Sequence, residues 1–272
     1  MVRQLKLIDA PRMEEATLLL ALSGWMDGGE VSTGTVKQVM GRREVKQIAT
    51  ITSDEFYIYN FPGSMEISAL FRPAVKYEDG IVTEIEMPSN TFWADQASNL
   101  IFFVGKEPNL KWQTFADCIF ALVKNVGVER IVFIGSFGGS VPHTREPRLF
   151  GSVSHEHLKD ELRQYGVKLS DYEGPGSFAT LLLQEAKPRG VEMISFVAEI
   201  PGYLEGINPL SIEAISKRLA RMLNLSIDLS DLREAGFEWE SRVSKAVEKD
   251  ADLAETIKKL EEAYDNELIG EE

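Results

Sequence analysis

Apolar runs alternate with segments of helical spacing between about residue 18 and residue 202. The apolar runs predict β-strands, and the segments between them predict helices over residues 31–40, 114–126, 155–165 and 178–187. The predicted strands are Leu18 to Leu22, Gln47 to Thr52, Leu100 to Val104, Arg130 to Ile134 and Glu192 to Ala198. Alternation of this kind is typical of α/β layering, in which helices cover a mostly parallel sheet.

Two shorter apolar runs lie between the second and third predicted strands. They cover Ala74 to Tyr77 and Ile81 to Met87, and the turn sequence Glu78-Asp79-Gly80 separates them. Such a pair predicts a hairpin or a sheet edge. We therefore expect a mixed sheet.

The chain becomes helical from Asn208 onward. Asn208 is a suitable N-cap and Pro209 a suitable first-turn residue for a helix that ends at Met222. A second helix is predicted over Leu232 to Val247, and a third carries apolar residues at helical spacing from Leu253 to Leu268. The sequence therefore predicts an α/β core domain over residues 1–207 and a helical C-terminal extension over residues 208–272.

Polar and aromatic side chains follow three of the predicted strands. Because the carboxyl ends of parallel strands meet at one edge of a sheet, these side chains are expected to form the rim of a ligand or partner site. The candidates are Trp25, Asp27 and Glu30 after the first strand, Glu107 and Trp112 after the third, and His143, Thr144 and Arg145 after the fourth.

Each of these loops allows more than one role. Asp27 could bind a ribose hydroxyl, act as a base or cap the following helix. His143 and Arg145 offer a titratable base and a fixed cation, although Arg145 could equally pair with Glu146 at the surface.

Two further features of this edge also allow more than one role. Trp112 offers a stacking face for a ligand, or a hydrophobic contact for its own helix. The turn containing Gly174 and Gly176 precedes a helix whose N–H groups can hold an anion. No metal-ligand spacing and no nucleotide or nucleophile motif is present, so we predict no metal, no cofactor and no catalytic residue.

Composition narrows the range of partners and compartments. The chain has 272 residues, of which 44% are apolar, and a formal net charge of −14. This charge repels phosphate backbones and anionic lipid, so neither nucleic acid nor a membrane is an expected partner. Its one cysteine, Cys118, lies in an apolar helix and suits a reducing compartment. We find no secretory signal or membrane span and expect a cytoplasmic protein.

Five short motifs, in order along the chain, resemble the proteasome assembly chaperone 2 family. They are Gly24-Trp25-Met26-Asp27-Gly28-Gly29-Glu30, Arg72-Pro73, Gly105-Lys106-Glu107-Pro108 with Trp112 and Phe115, Pro142-His143-Thr144-Arg145, and Tyr172-Glu173-Gly174-Pro175-Gly176. The resemblance implies a three-layer α/β/α fold of the nucleoside phosphorylase type and a homo-oligomer, with a trimer favoured. It assigns no catalytic role to the rim residues.

Two functions follow as hypotheses. The first, which rests on the resemblance, is a non-catalytic binding or assembly protein whose partners include copies of itself and proteasome subunits. The alternative is a protein that binds a small anionic or nucleoside-like molecule at the carboxyl edge, or a phosphorylase or hydrolase acting there, through Asp27, His143, Arg145 and the Gly174 turn.

Overall fold

The computed structural model describes residues 2–41 and 43–270, which form eleven strands and eight α-helices. The strands are β1 (Leu5–Leu7), β2 (Ala16–Ser23), β3 (Lys46–Ile51), β4 (Val75–Glu78), β5 (Ile81–Ile85), β6 (Thr91–Asp95), β7 (Leu100–Lys106), β8 (Val128–Gly139), β9 (Leu149–Gly151), β10 (Lys168–Leu169) and β11 (Glu192–Pro201). The helices are α1 (Val31–Met40), α2 (Met65–Ala69), α3 (Trp112–Val126), α4 (Leu158–Gln164), α5 (Phe178–Ala186), α6 (Pro209–Met222), α7 (Ser230–Val247) and α8 (Ala251–Gly270).

Nine strands form one mixed sheet in the order β1-β3-β6-β7-β2-β8-β11-β9-β10. The four central strands, β7, β2, β8 and β11, run parallel to one another. Antiparallel pairs extend the sheet on both sides, through β6, β3 and β1 at one end and β9 at the other. The predicted mixed α/β sheet is confirmed.

Alternate residues of β2 show how the sheet separates two helical layers. Leu18, Leu20 and Leu22 belong to the apolar cluster that contains residues of α3 and α5. Leu19 and Ala21 belong to the cluster that contains residues of α1, α4 and α6. Because successive side chains of a strand point to opposite faces, one strand serves both cores, and the three-layer arrangement follows.

The strand β8 is longer than the sequence predicts. We expected it to end at Ile134 and a glycine-rich loop to follow, but it pairs with β11 as far as Gly139. Gly139 cannot carry a side chain here, because a Cβ atom would collide with the carboxylate of Glu199, which lies directly over it. The loop after β8 therefore begins at Ser140 and leads first to β9, not to a helix.

The predicted hairpin is confirmed, but it stands apart from the main sheet. β4 and β5 pair only with each other, and with α2 they form a segment, residues 60–89, in which no residue is buried. We call this segment the arm.

The predicted helix boundaries after residue 174 agree closely with the structure. The Ser177 side chain accepts a hydrogen bond from Thr180 N at the start of α5, and the Asn208 side chain accepts one from Ser211 N at the start of α6. α6 packs against α1 and contributes Ile212, Ile215 and Leu219 to the core. The division of the chain at residue 208 stays a prediction.

Two further sequence features can be placed in this fold. Cys118 is fully buried in α3, and burial raises the pKa of its thiol to about 12. Among the helices of residues 2–41 and 43–270, none combines the length and apolar character needed to cross a membrane.

Candidate functional site

The order of the central strands brings the predicted loops together. β7, β2, β8 and β11 are neighbours and parallel, so their carboxyl ends lie side by side at one edge of the sheet. Within this edge the candidate residues form three separate sets of contacts. In the described part of the chain, no hydrogen bond or ion pair connects Asp27 with the segment from His143 to Arg145.

The first set centres on the carboxylate of Glu107. One oxygen accepts a hydrogen bond from the backbone N–H of Trp25 at 3.1 Å, and the other accepts one from the backbone N–H of Phe178 at 2.7 Å. Phe178 is the first residue of α5, so Glu107 places a negative charge where a helix N-terminus binds anions. Glu107 thus ties the loop after β2 to α5, while Trp25 as a whole residue is 64% exposed.

The glycine turn before α5 and Trp112 surround this carboxylate. Gly174 and Gly176 lie in an exposed loop before α5. Two of the N–H groups at the start of this helix already have acceptors: Phe178 N donates to Glu107, and Thr180 N donates to the side chain of Ser177. The Trp112 indole donates to the Pro108 carbonyl at 2.7 Å and meets the Phe178 ring edge-on at 5.8 Å. These contacts favour the packing role of Trp112.

The second set is formed by Asp27 at the start of α1. Its two carboxylate oxygens accept hydrogen bonds from Thr33 N at 3.0 Å and Thr33 Oγ1 at 2.9 Å. Burial raises the pKa of Asp27 despite these bonds. Glu30 is exposed in a left-handed conformation, φ 51°, and its side chain makes no capping bond to α1. Of the roles left open for Asp27, the geometry favours capping.

The third set begins with His143, which is buried after β8. The hydroxyl of Tyr203 accepts a hydrogen bond from the His143 backbone N–H and lies 2.8 Å from Nδ1, while Nε2 lies 3.1 Å from Ser244 Oγ in α7. If Tyr203 donates its proton to Nδ1, Nε2–H donates to Ser244, which describes a neutral imidazole. Burial lowers the pKa of His143, against the opposing effect of Glu240 and Glu261.

Thr144 and Arg145 bind the last helix of the chain. The Thr144 hydroxyl donates to the carboxylate of Glu261, and Arg145 forms a two-point ion pair with Asp265, with Nε and Nη2 both at 2.8 Å. Of the two roles left open for Arg145, the structure does not show the surface pair with Glu146, because α8 presents Asp265 to the guanidinium.

Sequence reasoning missed the residues that complete this contact. Arg148 bonds Glu199 of β11 at 3.0 Å and Glu267 of α8 at 2.6 Å, and its guanidinium lies 4.5 Å from the ring centre of Tyr264. Glu199 is buried and also accepts from Ser140 N at 2.6 Å. The available signal was the spacing of Glu261, Tyr264 and Asp265, which places two acids and an aromatic ring on one face of α8.

Little open space remains beside His143, whereas Thr144 and Arg145 also border a larger cleft. The cavity bordered by His143, Arg145 and Trp239 has a volume of about 10 Å³, room for at most one water molecule. A larger cleft, about 180 Å³, lies between this loop and α6 and is lined by charges of both signs, including Lys217 and Glu213. Among the described residues, no group of three or more His, Cys, Asp or Glu side chains is placed to hold a metal ion.

Comparison with known proteins identifies the family. The model of the PAC2 family matches residues 21–247, which include all ten candidate rim residues. The chain belongs to the PAC2 family. No curated protein matches it.

Solved structures share the fold of this PAC2 chain over nearly its whole length. A Mycobacterium tuberculosis protein of unknown function is 23% identical with a TM-score of 0.84, covering 98% of this chain and 90% of its own. A proteasome-assembly chaperone homologue of the same organism is 25% identical with a TM-score of 0.75, covering 89% and 99%. Pyrococcus furiosus PbaB, an archaeal proteasome activator, is 20% identical with a TM-score of 0.67, covering 90% and 99%.

Proposed function

We propose that this PAC2 chain is a proteasome-assembly-chaperone-like protein of the cytoplasm, which works by binding other protein chains and catalyses no reaction. It acts as a homo-oligomer, and proteasome subunits are its expected partners. The family match and the two proteasome-related structural neighbours support the kind of partner.

One observation carries the non-catalytic part of this proposal. Three side chains at the carboxyl edge are the best suited to take part in a reaction: His143, Thr144 and Arg145. All three form hydrogen bonds or ion pairs with the chain's own C-terminal helices. A general base must reach a substrate proton within hydrogen-bond distance, directly or through one water molecule. The cavity beside His143 is too small for such a substrate.

The test is purification of the tagged full-length protein from its own cells, with mass spectrometry of the retained proteins and small molecules. A lysate expressing the tag alone is the control. Enrichment of proteasome α-type subunits over this control is the expected result. Retention of a nucleoside or a phosphorylated metabolite, with no proteasome subunit, would overturn the proposal.

The alternative function, binding of a nucleoside-like or anionic molecule at the carboxyl edge, stays a prediction. The contacts count against it at three places. Asp27 caps α1, Glu107 occupies the N-terminus of α5, and Arg145 is paired with Asp265. A ligand would have to displace an internal carboxylate at either of the last two positions.

A further inference from the structure

The cleft beside α6 has charged walls whose ion pairs are incomplete. It is bordered by α6, α7 and the loop after β8, and its volume is about 180 Å³. Three cations and three acids line it: Arg145, Lys217, Arg218, Glu146, Glu213 and Glu240. Asp265 neutralises Arg145 at 2.8 Å, and Glu213 lies 3.0 Å from Lys217. The remaining charges of the cleft are less well compensated.

Glu240 of α7 is a half-buried carboxylate without a partner. In the part of the chain that the structure describes, its side chain forms no hydrogen bond and no ion pair. The ring of His143 lies close enough to feel the charge of Glu240, but burial lowers the pKa of this ring and favours its neutral form. A carboxylate that has lost part of its hydration is normally compensated by a cation. Glu240 therefore favours a cationic group inside the cleft.

Arg218 of α6 is the cation that corresponds to Glu240. Its side chain is 23% exposed, and the one carboxylate within 4.0 Å of it among the described residues belongs to Glu146, which is 78% exposed. Its Nη1 donates to the carbonyl of Ala214 in the same helix at 3.3 Å. A guanidinium has five N–H donors in a planar fork, which can hold a carboxylate at two points. Arg218 therefore favours a carboxylate inside the cleft.

Size and lining restrict what can satisfy both charges. Arg218 and Glu240 border the same cleft but form no ion pair with each other, so a ligand that compensates both carries an amino group and a carboxylate. A cavity of about 150 Å³ is large enough for benzene, so a cleft of about 180 Å³ accepts a molecule of similar or slightly larger size. Pro147, Leu210 and Ala214 add apolar lining. The terminus of a protein chain would bring one of the two charges, whereas a free amino acid brings both.

We infer that this cleft binds a free aliphatic amino acid, with its ammonium group at Glu240, its carboxylate at Arg218 and its side chain against Leu210. Binding requires neither a reaction nor a proteasome partner, so the inference goes beyond the proposed function and does not depend on it. The ligand would connect α6 with α7. Because it binds only the folded chain, it stabilises that chain in proportion to the logarithm of its concentration above the dissociation constant.

Three probes with the same aliphatic body separate the contributions of the two charges. L-Leucine carries both charges, 3-methylbutylamine lacks the carboxylate, and 4-methylpentanoate lacks the amino group. Titration calorimetry on the full-length protein measures each dissociation constant, and the melting temperature with each probe is the second readout. We expect L-leucine to bind about 10- to 100-fold more tightly than either analogue, because each analogue leaves one charged side chain without its hydrogen bond.

Two substitutions assign the two charges to their side chains. Glu240→Gln should reduce the affinity for L-leucine to about that for 4-methylpentanoate, without weakening the binding of 4-methylpentanoate itself. Arg218→Gln should reduce it to about that for 3-methylbutylamine, without weakening the binding of the amine. Glu238→Gln and Arg221→Gln change exposed charges of the same two helices and should bind L-leucine as the wild type does.

Three outcomes overturn the inference. The first is a wild type that shows neither heat of binding nor a higher melting temperature with millimolar L-leucine. The second is equal affinity for all three probes, which would indicate apolar binding only. The third is an unchanged affinity for L-leucine in Glu240→Gln and Arg218→Gln. The comparison of the three probes uses the wild type, so it decides the matter even where a variant without ligand has a melting temperature that indicates misfolding.

Discussion

The imidazole of His143 is surrounded by groups that suit its neutral form. Tyr203 and Ser244 bond its two ring nitrogens, and the Trp239 ring lies edge-on at 6.4 Å. A protonated ring would direct an Nδ1–H at the Tyr203 oxygen, and the Tyr203 hydroxyl would lose Nδ1 as its acceptor. The nearby carboxylates of Glu240 and Glu261 favour the charged form, but burial outweighs them and lowers the pKa.

This depressed pKa predicts a loss of stability in mild acid. The unfolded chain binds a proton near the ordinary histidine pKa of 6.5, and the folded chain binds it only at lower pH. Between these two values the unfolded state holds more protons, so the free energy of unfolding falls as the pH falls below about 6.5. We expect the melting temperature to decrease from pH 7.5 to pH 5.5 more in the wild type than in His143→Gln.

The control for this experiment is Phe237→Ala, which changes an exposed residue without a titratable group in α7, the helix that also contacts His143, and should leave the wild-type pH dependence intact. Equal pH dependence in the wild type and His143→Gln would contradict the prediction.

At the scale of elements, α8 is held by one face of charged and aromatic residues. Tyr264 is buried there; its hydroxyl donates to the Glu146 carbonyl at 3.0 Å, and its ring lies against Arg148. The surrounding ion pairs of Asp265 and Glu267 are partly exposed, and such pairs contribute little to stability. Tyr264 is therefore the principal anchor of this helix on the loop after β8.

Removing the Tyr264 ring should loosen α8 without unfolding the core. Deleting a buried aromatic side chain costs about 3 kcal/mol. If that cost falls on the docking of α8, amide exchange in this helix should accelerate ~100-fold. Hydrogen exchange by mass spectrometry on Tyr264→Ala would show this change in α8, with β2 and β8 unaffected. Leu268→Ala, at a half-exposed position of the same helix, is the matched control.

Unchanged protection of α8 in Tyr264→Ala would assign the docking to another contact. Equal acceleration in β2 would show that α8 unfolds only together with the core. Either result contradicts the prediction.

The elements differ in how far the sequence predicts them. Asn208 and Ser177 cap their helices as expected, because a cap is formed by residues three positions apart. β6 and β9 were not predicted, since such short strands are defined by their partners in the sheet. The pairing of Arg145 with Asp265 joins residues far apart in sequence, and no local pattern specifies it. Sequence reasoning thus located the candidate loops, but it did not identify the side chains of the same chain that contact them.

At the scale of the whole molecule, the first and the last of the three C-terminal helices differ, because α6 completes the core and α8 docks on it. α6 lies over α1 and buries Ile215 and Leu219 against the sheet. α8 buries Ile257 and Tyr264 and is otherwise held by ion pairs and partly exposed residues. The boundary at residue 208 stays a prediction, and this difference between α6 and α8 makes a boundary between α7 and α8 the alternative to test.

Two truncated chains distinguish these boundaries. Removing α6 to α8 exposes the apolar side of α1 and deletes, with other buried residues, the three that α6 contributes to the core. Each of these three is worth about 2–5 kcal/mol, so their sum is comparable to the whole stability of a domain. The chain 1–207 should therefore show no cooperative thermal transition. The chain 1–249, which lacks only α8, should unfold cooperatively with a melting temperature about 5–10 °C below that of the full chain. A folded 1–207 chain would instead support the boundary at residue 208, and an unfolded 1–249 chain would make α8 an essential part of the core.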